Sequence, residues 1–121
     1  MMGARELITR YEAGERDFSW ANLFQTALSE AVLSRAVLYH VNLGGANLKG
    51  ANLDRADLIG ANLREANLRE AILTGANLRE ANLGMADLAG ANLSGAKVTS
   101  EQLSKAASLK GATMPDGTVH E

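Results

Sequence analysis

The chain has 121 residues, a formal net charge of −2 and 4% aromatic residues. That length suits one domain, and that charge gives nucleic acid no basic surface to bind. The absence of cysteine excludes disulfides, thiolate chemistry and cysteine metal sites. No apolar run approaches the ~18 residues a membrane span needs. The opening residues Met1 to Glu6 lack the apolar core of a signal peptide. A soluble, cytoplasmic protein without a membrane partner is therefore expected.

Residues 3–13 read as a helix. Leu7, Ile8 and Tyr11 share one face, Ala4 extends it, and Gly14 supplies a stop. The expected role of residues 1–15 is to cover the first turn of the repeat region that begins at residue 16. An uncovered repeat end exposes unpaired N–H and C=O groups together with apolar side chains.

Residues 16–100 carry a five-residue repeat. Stepping by five from Phe18 reaches 17 positions, of which 15 are Leu. Two residues before each centre stands Ala in 14 cases, and one residue before stands Asn or Asp in 12. A period of five fits no straight element. On a helix each step turns about 500°, so the Leu would cover every face. On a flat strand an odd step flips the side chain. Every Leu stays inside only if the chain turns a corner after each short extended piece. In Ala61-Asn62-Leu63-Arg64-Glu65, Ala and Leu point in, Asn points out, and Arg64 and Glu65 carry the corner. Four corners close a square, so about four coils are expected, stacked about 4.8 Å apart. Asn and Asp bond nearby backbone and suit such turns, as does the recurrent Gly that ends many units. These residues read as architecture.

The tandem Ala46-Asn47-Leu48-Lys49-Gly50-Ala51-Asn52-Leu53 resembles the pentapeptide-repeat family. The resemblance covers residues 16–100 and implies an all-β fold, a right-handed quadrilateral β-helix, with short helical caps. The segment from Tyr11 to Ser19 also resembles the entry segment of cyanobacterial-type members.

Val98 ends the register. Thr99 and Gln102 stand at capping-box spacing, so a short helix over 101–106 is expected, anchored by Leu103. The repeat then resumes out of phase, with Leu109 and Met114 inward, before the Pro115-Asp116-Gly117 turn. Residues 101–121 read as a C-terminal cap ending in a mobile tail that contains His120.

Chemistry is sparse. The two histidines, His40 and His120, have no cysteine and no motif-placed acid beside them, and no metal or cofactor motif is present. The Arg-Glu pairs 64–65, 69–70 and 79–80 read as solvated surface charge. No catalytic residue, metal or cofactor is expected. The family resemblance offers one sharper function, mimicry of DNA to inhibit or protect DNA gyrase. That function needs a strongly acidic face, and residues 16–100 hold eight acids and eight bases with interleaved signs. The reading is therefore a structural or protein-interaction solenoid with a protein partner and no direct nucleic-acid contact, either a monomer or a weak homodimer. Residues 20 apart should lie above one another. This places Trp20, Tyr39, His40 and Ile59, with Val37, in one outward patch, a candidate partner surface. The N-terminal helix is expected to fold over Trp20 and hide part of that patch, leaving Tyr39, His40 and Ile59 more open.

Overall fold

The computed structural model describes residues 1–121. A helix, α1 (Ala4–Glu12), leads into a four-sided parallel coil, and a second helix, α2 (Ser100–Ser104), interrupts its last turn. Both helices are slightly shorter than the sequence pattern suggests, because their flanking residues act as caps.

One unit shows why the coil forms. In Ala56–Gly60, the side chains of Ala56 and Leu58 are buried and Asp57 faces out. The Leu58 carbonyl accepts the N–H of Ala61 at 3.0 Å, and Gly60 has φ 67° while Ile59 keeps a negative φ. That is a type II turn, which needs positive φ at its third residue. The Asp57 Oδ1 accepts the Ile59 N–H at 3.1 Å, so the turn's remaining donor is used. The Asn of other units make the same bond, for example Asn62 to Arg64 N–H at 3.0 Å.

Coils are joined by backbone bonds. The N–H of Asp57 donates upward to Ala36, and those of Leu58 and Gly60 donate downward to Asn77 and Arg79, all at 2.8–2.9 Å. Each face contributes one parallel bridge per coil, such as Val37 to Asp57 to Asn77, and no rung lengthens into a continuous strand. The corners consume the rest of the unit. From Ala36 to Ala96 every inward residue is buried, with Leu48, Leu53, Leu58 and Leu63 fully so. Outside, Asn62 Nδ2 donates to Asn42 Oδ1 at 3.1 Å, a short ladder across coils.

The corner glycines have a second reason beyond their positive φ. A Cβ on Gly45 would lie 3.1 Å from the Gln25 side chain, and one on Gly50 would lie 3.2 Å from that of Glu30. Arg55 over Gly75 and Glu70 over Gly90 repeat the arrangement at 3.3 Å. A side chain at one corner lies down over the glycine of the coil below.

The two ends are closed differently. Helix α1 runs diagonally over the upper mouth, burying Leu7. It is pinned by Met2 N–H to the Asn22 carbonyl at 3.0 Å and by the Tyr11 hydroxyl to the Ser34 carbonyl at 2.7 Å. At the lower end α2 replaces one rung. Its capping box is complete: Gln102 N–H donates to Thr99 Oγ1 at 3.0 Å, and Thr99 N–H donates to Gln102 Oε1 at 2.9 Å. Gln102 Nε2 also donates to the Leu78 and Ala81 carbonyls, at 2.7 and 3.0 Å, in place of the missing rung. The helix consumes one extra residue. Asp87 therefore bridges Ser108 and Asn92 bridges Thr113, 21 residues on rather than 20. Leu109 and Met114 are half-buried at this open level. The tail is not free: His120 donates to Ala112 at 2.8 Å and accepts from Gly111 at 2.7 Å, closing an antiparallel hairpin.

Candidate interaction site

The outward patch assembles as the register demands. Trp20 and His40 occupy equivalent corners of successive coils, and both hold positive φ, 65° and 53°. Their rings stack at 4.6 Å with an interplanar angle of 8°. Tyr39 meets His40 edge-on at 4.3 Å and Trp20 at 5.9 Å. Below them Gly60 has no side chain, and the His40 ring lies over it, within 2.7 Å of where a Cβ would stand. The stack is thus built by the coil repeat: two aromatic corners above a glycine corner. Ile59 sits half-buried beneath Tyr39, and Val37 is half-buried beside it.

The expected cover is absent. Trp20 is 69% exposed and Tyr39 is 38% exposed. Helix α1 crosses from Asn22 to Ser34 and directs Ile8 and Tyr11 to the opposite side of the mouth. Tyr11 receives Arg16 over its ring at 3.7 Å, and Arg10 lies 5.5 Å from the Phe18 ring. The helix spends its apolar face on the core and on the far edge, so none is left for Trp20.

Charge is sparse around the stack. Asp17 and Asp57 bridge Val37 from above and below on the same face. Hydrogen bonding from the Ser19 side chain, then from its backbone N–H, holds the Asp17 carboxyl below the usual range. The Arg-Glu pairs behave unequally. Arg64 stays 3.6 Å from Glu65, but Arg69 reaches Asp87 on the next coil at 3.1 Å. All four side chains keep a third or more of their surface in water, so each contact is worth little. No face is uniformly acidic: the face with Asn62 carries Arg64 and Glu65, and the next carries Lys49, Arg69, Glu30, Glu70 and Asp87. No group of His, Asp and Glu converges as a metal site, and no helix is long and apolar enough to cross a membrane.

Sequence reasoning missed other exposed apolar residues. Val32 (56% exposed) and Ile72 (39%) share one outward column, and Met85 (56%) occupies a corner. Stepping by 20 from Val32 through Asn52 to Ile72 would have found the column.

A four-sided coil with type II corners, an interior of Ala and Leu and an outward Asn between them defines a class of repeat solenoid. The family model described as pentapeptide repeats matches residues 17–55, 56–95 and 71–107, and the chain belongs to that family. Among solved structures, it is similar to a pentapeptide-repeat protein of the Arabidopsis thaliana thylakoid lumen. The two share 30% identity over 87% of this chain and 69% of that one, with a TM-score of 0.68. It is also similar to a trypsin-treated form of QnrB1, a plasmid-mediated fluoroquinolone resistance protein, at 23% identity and a TM-score of 0.58. That match spans 62% of this chain and 39% of QnrB1, and it shows the fold alone. A third, the pentapeptide-repeat protein Rfr23 from the cyanobacterium Cyanothece 51142, is 42% identical over 62% of this chain and 54% of its own, with a TM-score of 0.37. No curated protein matches the chain.

Proposed function

We propose that this protein is a non-catalytic, right-handed solenoid that docks a protein partner on the corner formed by Trp20, Tyr39, His40 and Ile59. The handedness follows the family resemblance and the strong right-handed preference of parallel crossovers. The observation that carries the docking role is the exposed, pre-ordered aromatic stack. Trp20 and His40 share their positive φ with the corner residues from Gln25 to Gly95, so the regular turn of the coil fixes where the two rings stand before any partner arrives. Aromatic rings fixed before binding lose little entropy on docking, and Trp and Tyr are favoured anchors. The proposed setting is the cytoplasm.

The test compares wild type with a Tyr39→Ala, Ile59→Ser double variant as bait in an extract of the native host. Self-association is measured beside it by sedimentation. The double variant should melt as wild type does and lose the partner that wild type retains. A variant that keeps its fold and every association found for wild type removes this corner from consideration.

A gyrase-directed DNA mimic is the second reading. The likeness of the coil to QnrB1 supports its shape. The eight acids and eight bases of residues 16–100 oppose it, because a phosphate-binding groove needs an acidic ligand. A gyrase supercoiling assay separates the readings: inhibition or quinolone protection by this protein would replace the first with the second.

A further inference from the structure

We propose that Asp116-Gly117 is the site at which this protein forms isoaspartate, and that opening of the hairpin 111–120 gates the reaction. The reaction is an isomerisation. The Gly117 nitrogen attacks Asp116 Cγ and a C–N bond forms. One carboxyl oxygen leaves as water, with the proton of that nitrogen and one from solvent. Water then opens the cyclic imide at the main-chain carbonyl. The main chain now runs through the former side-chain carbonyl, one methylene longer, and the former main-chain carboxyl is free. No oxidant and no second substrate take part. The coil resists this chemistry. Asn and Asp form the same imide, but all nine Asn precede Leu, and Asp116 alone precedes Gly. That Leu is the buried centre of its unit, and its N–H is committed to the next coil, as Leu58 to Asn77 at 2.8 Å and Leu63 to Asn82 at 2.9 Å. Leu83 makes no such bond, yet its side chain is buried. Phe18 and Arg55, which follow Asp17 and Asp54, donate to Val37 and Thr74 at 2.8 Å.

Asp116 and Gly117 are both exposed. Glycine has no Cβ to shield its nitrogen, and apart from its chain neighbours nothing stands within 4 Å of where one would be. Two restraints keep the reacting groups apart while the hairpin is closed. The Gly117 N–H donates to the Met114 carbonyl at 2.8 Å, closing a turn in which Asp116 keeps a negative φ. Asp116 Oδ1 accepts the Thr118 N–H at 3.0 Å and the Thr118 hydroxyl at 2.6 Å. The attacking nitrogen is occupied, and the carboxyl is turned toward residue 118. Both restraints belong to the hairpin, which His120 pins to Ala112 at 2.8 Å and to Gly111 at 2.7 Å. A surface hairpin opens at far lower free energy than the whole fold, and opening releases both groups together. The added methylene breaks the spacing of the turn, so the product does not recover the Thr118 bonds. The turn lines one groove with Val98, Leu103 and Met114. The modification thus makes a reversible opening permanent and uncovers the half-buried lower mouth.

The full chain is incubated at neutral pH, native and unfolded in guanidinium chloride, and chromatography of its peptides separates isoaspartyl from aspartyl forms. Isoaspartate should appear at residue 116 before any other position, and faster in the unfolded chain. His120→Pro deletes the bond to Ala112 without touching the reacting atoms. It should speed formation in the native chain by about threefold to tenfold, the effect of one lost hydrogen bond on the open population. Thr118→Ala, which deletes the hydroxyl contact, should act in the same direction. Asp116→Glu should block the reaction, because its six-membered imide forms far more slowly. In the purified product, the amides of Gly111 and His120 should lose protection from exchange while those of Leu58 and Leu63 keep it. The comparison of native with unfolded wild type decides the matter even if a variant folds poorly. Equal rates in those two states, no product at residue 116 in either, earlier modification elsewhere, or hairpin amides still protected in the product overturns the inference.

Discussion

Replacing Gly60 by Ala separates the two reasons for corner glycines. Gly60 and Gly95 hold similar positive φ, 67° and 71°. Alanine at either position enters the left-handed region at about 1–2 kcal/mol. The more restricted unfolded chain returns roughly 0.5–1 kcal/mol of that. Gly95→Ala should therefore cost about 0.5–1 kcal/mol, since its Cβ would meet only the Gly75 backbone at 3.9 Å. At Gly60 the Cβ would stand 2.7 Å from both ring nitrogens of His40. The ring must swing away, giving up its stack on Trp20, worth about 0.5–1.5 kcal/mol. Gly60→Ala should then cost about 1 kcal/mol more than Gly95→Ala. Urea unfolding followed by circular dichroism measures both, and the emission of Trp20, the only tryptophan, reports the lost stack. In a His40→Ala background the two substitutions should cost the same. Equal costs in the wild-type background, or an unchanged difference without His40, would refute the reasoning.

Other perturbations probe the remaining features. Leu63→Ala should cost about 2–5 kcal/mol by opening a cavity in a core one side chain wide, while the exposed Arg64→Ala stays within about 0.5 kcal/mol of neutral, as ranked by thermal melts. Glu65→Gly should stabilise by about 0.5–1 kcal/mol, because Glu65 holds φ 61° where glycine is unstrained. Deleting residues 1–14 should expose Phe18, Leu23 and Leu28 and cause end-to-end association, seen by light scattering. The Asp116 carboxyl is held below its usual range by Thr118, hydroxyl first and backbone N–H second. Its contribution is present above the ordinary Asp range near pH 4 and is lost as pH falls through the lower folded value. Protection of the Met114 and His120 amides, taken relative to their intrinsic exchange rates, should therefore fall on acidification below that range. Asp116→Asn, which still accepts a hydrogen bond, should remove the pH dependence.

Much of the site is legible in the sequence because stacking is arithmetic. A step of 20 places Trp20 over His40 and Gly60, and Asp17 over Val37 and Asp57, before any coordinate is known. The arithmetic fails where the period fails. Nothing in the repeat says which way α1 leaves the mouth, so the cover expected over Trp20 is not found. Residues 105–121 carry a phase shift whose size depends on how many residues α2 consumes. The ion pairs escape the pattern for a related reason. A long side chain at a corner can turn along the chain, as Arg64 does towards Glu65, or across coils, as Arg69 does to Asp87, and the repeat does not encode which.

The sequence by itself determined the coil, its inside and outside, and its register. A side chain's direction there depends only on its place in a unit of five, and that place is written at every Ala and Leu. The tertiary structure alone decided what the ends do. Tyr11 binding Ser34 and Met2 binding Asn22 set a diagonal helix, which leaves Trp20 open. Those are single contacts between the non-repeating N-terminal segment and the first coil. No period encodes them, so their outcome is settled only when the chain folds.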